Sequence, residues 1–133
     1  MSVAERRSVP ARVLIVDDDL ELAQSLANMI EAAGSFETRM VHCAADAVAA
    51  AVEAPPTIVF LDMELPDSSG YEVARLLRQH AHLQATRLIA LTDSIEHPAR
   101  EDARAAGLER YLVKPVSAVE LQKVLRRRLT IVR

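Results

Sequence analysis

A chain of 133 residues, half of them hydrophobic, is long enough for one domain with a sizeable core. Aromatics make up only 3%, so that core is aliphatic, and a formal net charge of −3 argues against the basic footprint of a nucleic-acid binder. The single cysteine, Cys43, excludes an internal disulfide and fits a reducing, cytoplasmic setting; no apolar run approaches a membrane span, and the N-terminus lacks the apolar stretch of a signal peptide.

Residues 1–10 read as a polar arm ending at Pro10. "RVLIV" (12–16) is a near-continuous apolar run of strand length, and it ends on Asp17, Asp18 and Asp19. Adjacent carboxylates at the end of a buried strand repel, so something must offset their charge. Leu22, Leu26, Met29, Ile30 and Ala33 then fall at helical spacing, with Gly34 as a stop signal. "FETRMV" (36–41) is more mixed and suits an edge strand. The segment 44–53 is alanine-rich and predicts a helix. "TIVFL" (57–61) is the third strand, and Ser68 or Ser69 can cap a helix carrying Val73, Ala74 and Leu77. "RLIAL" (87–91) is the fourth strand. Pro98 opens a helix over 98–106 that Gly107 ends. "RYLV" (110–113) is the fifth strand, read like the first, third and fourth as covered on both faces. Ser117 caps a last helix, with Glu120 completing a capping box and Leu121, Val124 and Leu125 on its apolar face. A short tail, 130–133, follows.

Strict alternation of strands and helices predicts a three-layer α/β/α fold with a five-stranded parallel sheet. In such sheets ligand sites lie at the carboxyl ends of the strands. The residues found there are Asp17 and Asp18, then Asp62, Met63 and Glu64, then Thr92 and Asp93, then Lys114 and Pro115. Three acids, a hydroxyl and an ammonium are thus expected at one rim. Hard oxygen ligands suit Mg²⁺, which offsets the repulsion among Asp17, Asp18 and Asp62 and can orient a phosphoryl group. An aspartate carboxylate can serve as nucleophile in such chemistry.

"VLIVDDD", "IVFLDMELPDSSGYEV", "LIALTDS" and "AAGLERYLVKP" together resemble the receiver domain of two-component response regulators, over roughly residues 11–129. The separations between Asp18, Asp62, Thr92 and Lys114 match that family as well. The resemblance implies the flavodoxin-like strand order 2-1-3-4-5. It implies that Asp62 accepts a phosphoryl group from a histidine kinase or histidine phosphotransfer protein. Magnesium would be bound directly by Asp18 and Asp62, through water by Asp17, and by the backbone carbonyl of Glu64. Thr92 and Lys114 would hold phosphate oxygens, and Thr92 and Tyr111 would act as switch residues. The surface of the fourth helix, fifth strand and fifth helix would signal to a downstream protein, with homodimerisation through it a family option. No direct contact to nucleic acid or membrane is expected, and the chain reads either as a stand-alone regulator or as a receiver from a longer protein.

Two positions depart from the family pattern. Asp93 follows Thr92 where the family usually has alanine or glycine, and Glu64 stands at a position that tunes dephosphorylation. Either they crowd the phosphate site with negative charge, or their side chains face solvent. Val116 replaces the phenylalanine common after Lys-Pro. Singly, Asp17 and Asp18 read as helix-start acids, as Asp19 does, Thr92 as a strand-end hydroxyl, and Lys114 as a solvated turn. Tyr111 alone reads as an edge-strand aromatic. The four histidines, His42, His80, His82 and His97, have no metal spacing and read as surface residues, while Arg126, Arg127 and Arg128 read as a solvated helix end.

Two other functions compete. A haloacid-dehalogenase-type phosphatase also uses an aspartate nucleophile and magnesium. However, Glu21 stands where that pattern has Thr or Val, and Glu120 is alone where it has an acidic pair. A phosphorylation-independent interaction module of the receiver fold has only Asp93 and Glu64 in its favour. A flavodoxin-type role lacks a phosphate-cradling loop after the first strand.

Overall fold

The computed structural model describes residues 10–94 and 104–130. Most of the polar arm, the helix expected over 98–106 apart from its last residues, and residues 131–133 of the tail lie outside the described residues, as does His97.

Five strands form one parallel sheet in the order β2-β1-β3-β4-β5. They are β1 (Ala11–Val16), β2 (Phe36–Val41), β3 (Ile58–Asp62), β4 (Arg87–Thr92) and β5 (Leu108–Val113). The helices that lie wholly within the described residues are α1 (Leu20–Ala33), α2 (Ala44–Glu53), α3 (Gly70–Arg78) and α4 (Ala118–Thr130), with a short 3₁₀ turn at Ala81–Leu83. Side chains alternate across the sheet, so each central strand feeds two cores. Leu14, Val16, Val59, Leu61, Leu88 and Ala90 pack with α2 and α3. Val13, Ile15, Ile58, Phe60, Ile89 and Leu91 pack with α1 and α4 on the other face. This double burial is why the central strands read as unbroken apolar runs.

β2 is an edge strand, as its mixed sequence predicts. β5 departs from expectation: it is the other edge, and Glu109, Arg110 and Tyr111 are half-exposed rather than covered on both faces. Asp62 and Thr92 are the last residues of their strands instead of the first beyond them.

Local chemistry sets the helix starts. Asp19 caps α1, its carboxylate accepting from the N–H groups of Glu21 and Leu22 at 3.1 Å. Of the two serines before α3, Ser69 is the cap, its hydroxyl accepting from the Glu72 N–H. Ser117 accepts from the Glu120 N–H at the start of α4, and the Glu120 carboxylate pairs with Arg110 and Lys123. α2 has no cap of its own, because Cys43 makes no side-chain cap bond. Asp67, from the loop after β3, fills that place, accepting from Ala44 N–H at 2.8 Å and Ala45 N–H at 3.1 Å. Those two bonds favour the ionised form and hold the Asp67 carboxyl below its usual range. Gly107 turns into β5 with φ of 79°, and a Cβ there would meet the Arg78 Nε at 2.5 Å.

Candidate functional site

The parallel topology brings the ends of β1, β3, β4 and β5 to one rim. Asp17 and Asp62 are buried there, 1% and 4% exposed, whereas Asp18 is exposed. Carboxylate oxygens of Asp17, Asp18 and Asp62 lie within 4.8 Å of one another. Lys114 reaches over them from the end of β5. Its Nζ is 3.1 Å from Asp17 Oδ2, 3.5 Å from Asp62 Oδ2 and 3.9 Å from Asp93 Oδ1.

Backbone contacts hold these groups in place. The Lys114 N–H donates to the Thr92 carbonyl at 2.7 Å, which ties the lysine to the end of β4. The Asp19 N–H donates to Asp17 Oδ1 and the Glu64 N–H to Asp62 Oδ1, so each buried acid has one oxygen held by the chain two residues on. The loop after Asp62 folds back on itself, with Glu64 and Ser69 bridged and the Gly70 N–H donating to the Met63 carbonyl at 2.9 Å. Gly70 is required there, since a Cβ would lie 2.7 Å from the Asp62 carbonyl oxygen.

The electrostatics follow from burial and crowding. Burial pushes the Asp62 carboxyl up from 3.8 to about 6; the Glu64 N–H opposes this, the Asp17 charge adds to it, and the Lys114 ammonium lowers it again. For Lys114, burial disfavours the charge, but the Asp17 hydrogen bond and the charges of Asp17, Asp62 and Asp93 outweigh it and raise the ammonium. One lysine among three acids leaves a net negative pocket. Hard oxygen donors in this number are the set that a small divalent cation such as Mg²⁺ takes, so the residues fit that ion.

Not every sequence-predicted residue converges. Glu64 and Asp93 line the same cleft, of about 440 Å³, with Asp18, Asp19, Leu22, Asp62 and Lys114. Asp93 is 76% exposed at its side chain, so it faces largely to solvent while its carboxylate remains near Lys114. The Thr92 hydroxyl sits at the strand end but is engaged with the backbone of Ser94 at 3.3 Å. Tyr111 lies back from the rim on the α3 side of the sheet, its hydroxyl bonded to that of Tyr71. Two contacts were not legible in the sequence. His42 is exposed as expected, yet its Nδ1 is 2.9 Å from the Asp17 carbonyl. Asp67 anchors the acceptor loop to α2, and only its place in "LPDSSG" hinted at a structural task.

Comparison with known proteins adds the following. The family model described as "Response regulator receiver domain" matches residues 13–126. The transcriptional regulatory protein GltR of Pseudomonas aeruginosa is 36% identical over 109 residues, which cover 82% of this chain and 45% of GltR. The chain therefore spans about half the length of the relatives of this kind that it matches. Among solved structures, the chemotaxis protein CheY4 of Vibrio cholerae superposes with a TM-score of 0.82 at 27% identity, covering 89% of this chain and 98% of that one. The receiver domain of the sensor histidine kinase PA1611 from Pseudomonas aeruginosa, solved with magnesium in its active-site cleft, gives 0.79 at 28% identity, covering 89% and 96%.

Proposed function

This chain belongs to the response regulator receiver domain family, and from that premise we propose that Asp62 accepts a phosphoryl group from a histidine kinase or a histidine phosphotransfer protein. The observation that carries the proposal is Asp62 itself: a buried carboxylate at the end of β3, with Lys114 at 3.5 Å and two further carboxylates beside it. With its carboxyl near 6, Asp62 is mostly ionised at neutral pH and free to attack. A carboxylate oxygen forms a bond to phosphorus, the bond from phosphorus to the donor's imidazole nitrogen breaks, and the imidazole leaves with that electron pair. The product is an acyl phosphate on Asp62. Lys114 holds one of the new phosphate oxygens with its ammonium. The Thr92 hydroxyl, released from Ser94, turns to another. When bound, a magnesium ion held by Asp18, Asp62, the Glu64 carbonyl and, through water, Asp17 would neutralise charge on the group being transferred.

Movement of Thr92 and Tyr111 would then alter the surface carried by β5 and α4, which addresses a downstream protein or a further domain. A histidine kinase or phosphotransfer protein as donor fits a cytoplasmic setting. Among the described residues no helix is long and apolar enough to cross a membrane.

Incubation with acetyl phosphate and magnesium should add a single phosphoryl mass to the intact protein, and Asp62→Asn should abolish it with the circular dichroism spectrum unchanged. A variant that still gains the mass would show that the nucleophile lies elsewhere. Asp93 bears on rate rather than on chemistry. Its carboxylate lines an already negative cleft 3.9 Å from Lys114 and adds to the repulsion that an anionic donor meets there. Asp93→Ala should speed phosphorylation by acetyl phosphate roughly two- to fivefold at low salt, with the gain shrinking at high salt as screening grows. Equal rates at low salt would mean that the side chain stands clear of the donor's approach.

A further inference from the structure

Tyr71 is the second residue of α3, directly after the glycine that lets the helix start abut the acceptor strand. Its backbone is therefore tied closely to Asp62, through the Gly70 N–H bond to Met63 and the close approach of Gly70 to the Asp62 carbonyl. Its side chain packs against the α2–α3 core, and its hydroxyl meets the hydroxyl of Tyr111. Tyr111 sits in the middle of β5, in register with Ala90, two residues before Thr92 on the neighbouring strand. One hydrogen bond thus spans from the first turn after the acceptor loop to the edge strand of the proposed output surface.

We infer that Tyr71 is a positioning residue for Tyr111: its hydroxyl retains the Tyr111 ring against the sheet and transmits displacement of the acceptor loop to β5, a route separate from the Thr92 hydroxyl. The inference rests on the receiver reading of Asp62. It has a physical basis in rigidity. Gly70 leaves no slack between Asp62 and the start of α3, so a change in the loop on phosphorylation moves Tyr71, and a hydroxyl pair between two half-buried rings cannot stretch far before it breaks. Both aromatic groups are polar at the tip and apolar in the body, so the hydroxyl pair links two rings that pack against the same core.

The chain has two tyrosines and no tryptophan, so protein labelled with 3-fluorotyrosine gives a ¹⁹F spectrum with one signal for Tyr71 and one for Tyr111. Spectra are taken of wild type, Tyr71→Phe and Tyr111→Phe, with and without magnesium and beryllofluoride as the phosphoryl mimic. In wild type both signals should move on adding the mimic. In Tyr71→Phe, with its melting midpoint preserved, the movement of the Tyr111 signal should fall roughly twofold or more, within the range by which one residue modulates coupling between sites. A Tyr111 signal that moves as far in Tyr71→Phe as in wild type would overturn the inference and leave Tyr71 a packing residue. The same holds for a Tyr71 signal in wild type that does not move while that of Tyr111 does. If neither wild-type signal responds and no mimic binds, the receiver reading itself fails, and the inference fails with it; these outcomes are distinguishable in the one experiment.

Discussion

Asp62→Asn is expected to make the protein more stable, by up to a few kcal/mol at pH 7 without magnesium. The direction follows from the acid's environment. In the unfolded chain Asp62 loses its proton near 3.8, and in the folded chain near 6, chiefly because of burial and the neighbouring Asp17 charge. Between those values the folded state holds a proton that the unfolded state has released, so wild-type stability falls as pH rises through the window. Asparagine keeps the shape and has no charge to bury. The gap between variant and wild type should therefore be small at pH 4, open between 4 and 6, and level off above, in urea titrations at each pH. Magnesium should narrow it, since a cation bound by the folded wild type adds stability that the variant largely lacks. A variant less stable than wild type at pH 7 would mean that Asp62 is held by favourable contacts rather than against a cost.

Arg87→Met should cost about 3 kcal/mol and lower Tm by about 10 °C. Arg87 opens β4 at the rim opposite the acid cluster and is only 9% exposed. Its guanidinium grips Glu109 through Nε at 2.8 Å and Nη2 at 2.6 Å, and Nη1 donates to the Val124 carbonyl of α4 at 2.9 Å. One side chain thus joins β4, β5 and the final helix. Methionine fills much of the space but removes the guanidinium that the Glu109 carboxylate, 20% exposed, pairs with at close range. Arg87→Met combined with Glu109→Leu should recover most of the loss, because an apolar pair needs no partner. Failure of the double variant to recover would mean that the Val124 bond, not the ion pair, carries the stability.

Legibility in the sequence tracked how local each feature is. The three central apolar runs, β1, β3 and β4, were readable because burial on both faces leaves no alternation to misread, and β2 was readable as an edge for the opposite reason. β5 misled, since Tyr111, Leu112 and Val113 are apolar although the strand lies at the edge; its exposure shows only once the sheet order is known. That order came from family resemblance, because alternation alone fits several arrangements. The convergence of Asp17, Asp18, Asp62 and Lys114 was legible because parallel topology puts every strand's end on one rim. Orientation was not legible. Nothing in the sequence turns the Thr92 hydroxyl to Ser94, or joins Tyr71 to a residue forty positions away. The Asp67 cap on α2 likewise depends on a loop and a helix that meet only in the folded chain.

The most direct test of Asp62 as the acceptor is chemical trapping. Wild-type protein is incubated with acetyl phosphate and magnesium, reduced with borohydride, digested and sequenced by mass spectrometry. Borohydride converts an aspartyl acyl phosphate to homoserine and leaves free carboxylates alone. Homoserine at position 62, dependent on magnesium and absent without the donor, is the result expected. Homoserine at Asp17 or Asp18, or a reduction-resistant phosphate on a serine, threonine or histidine, would contradict it.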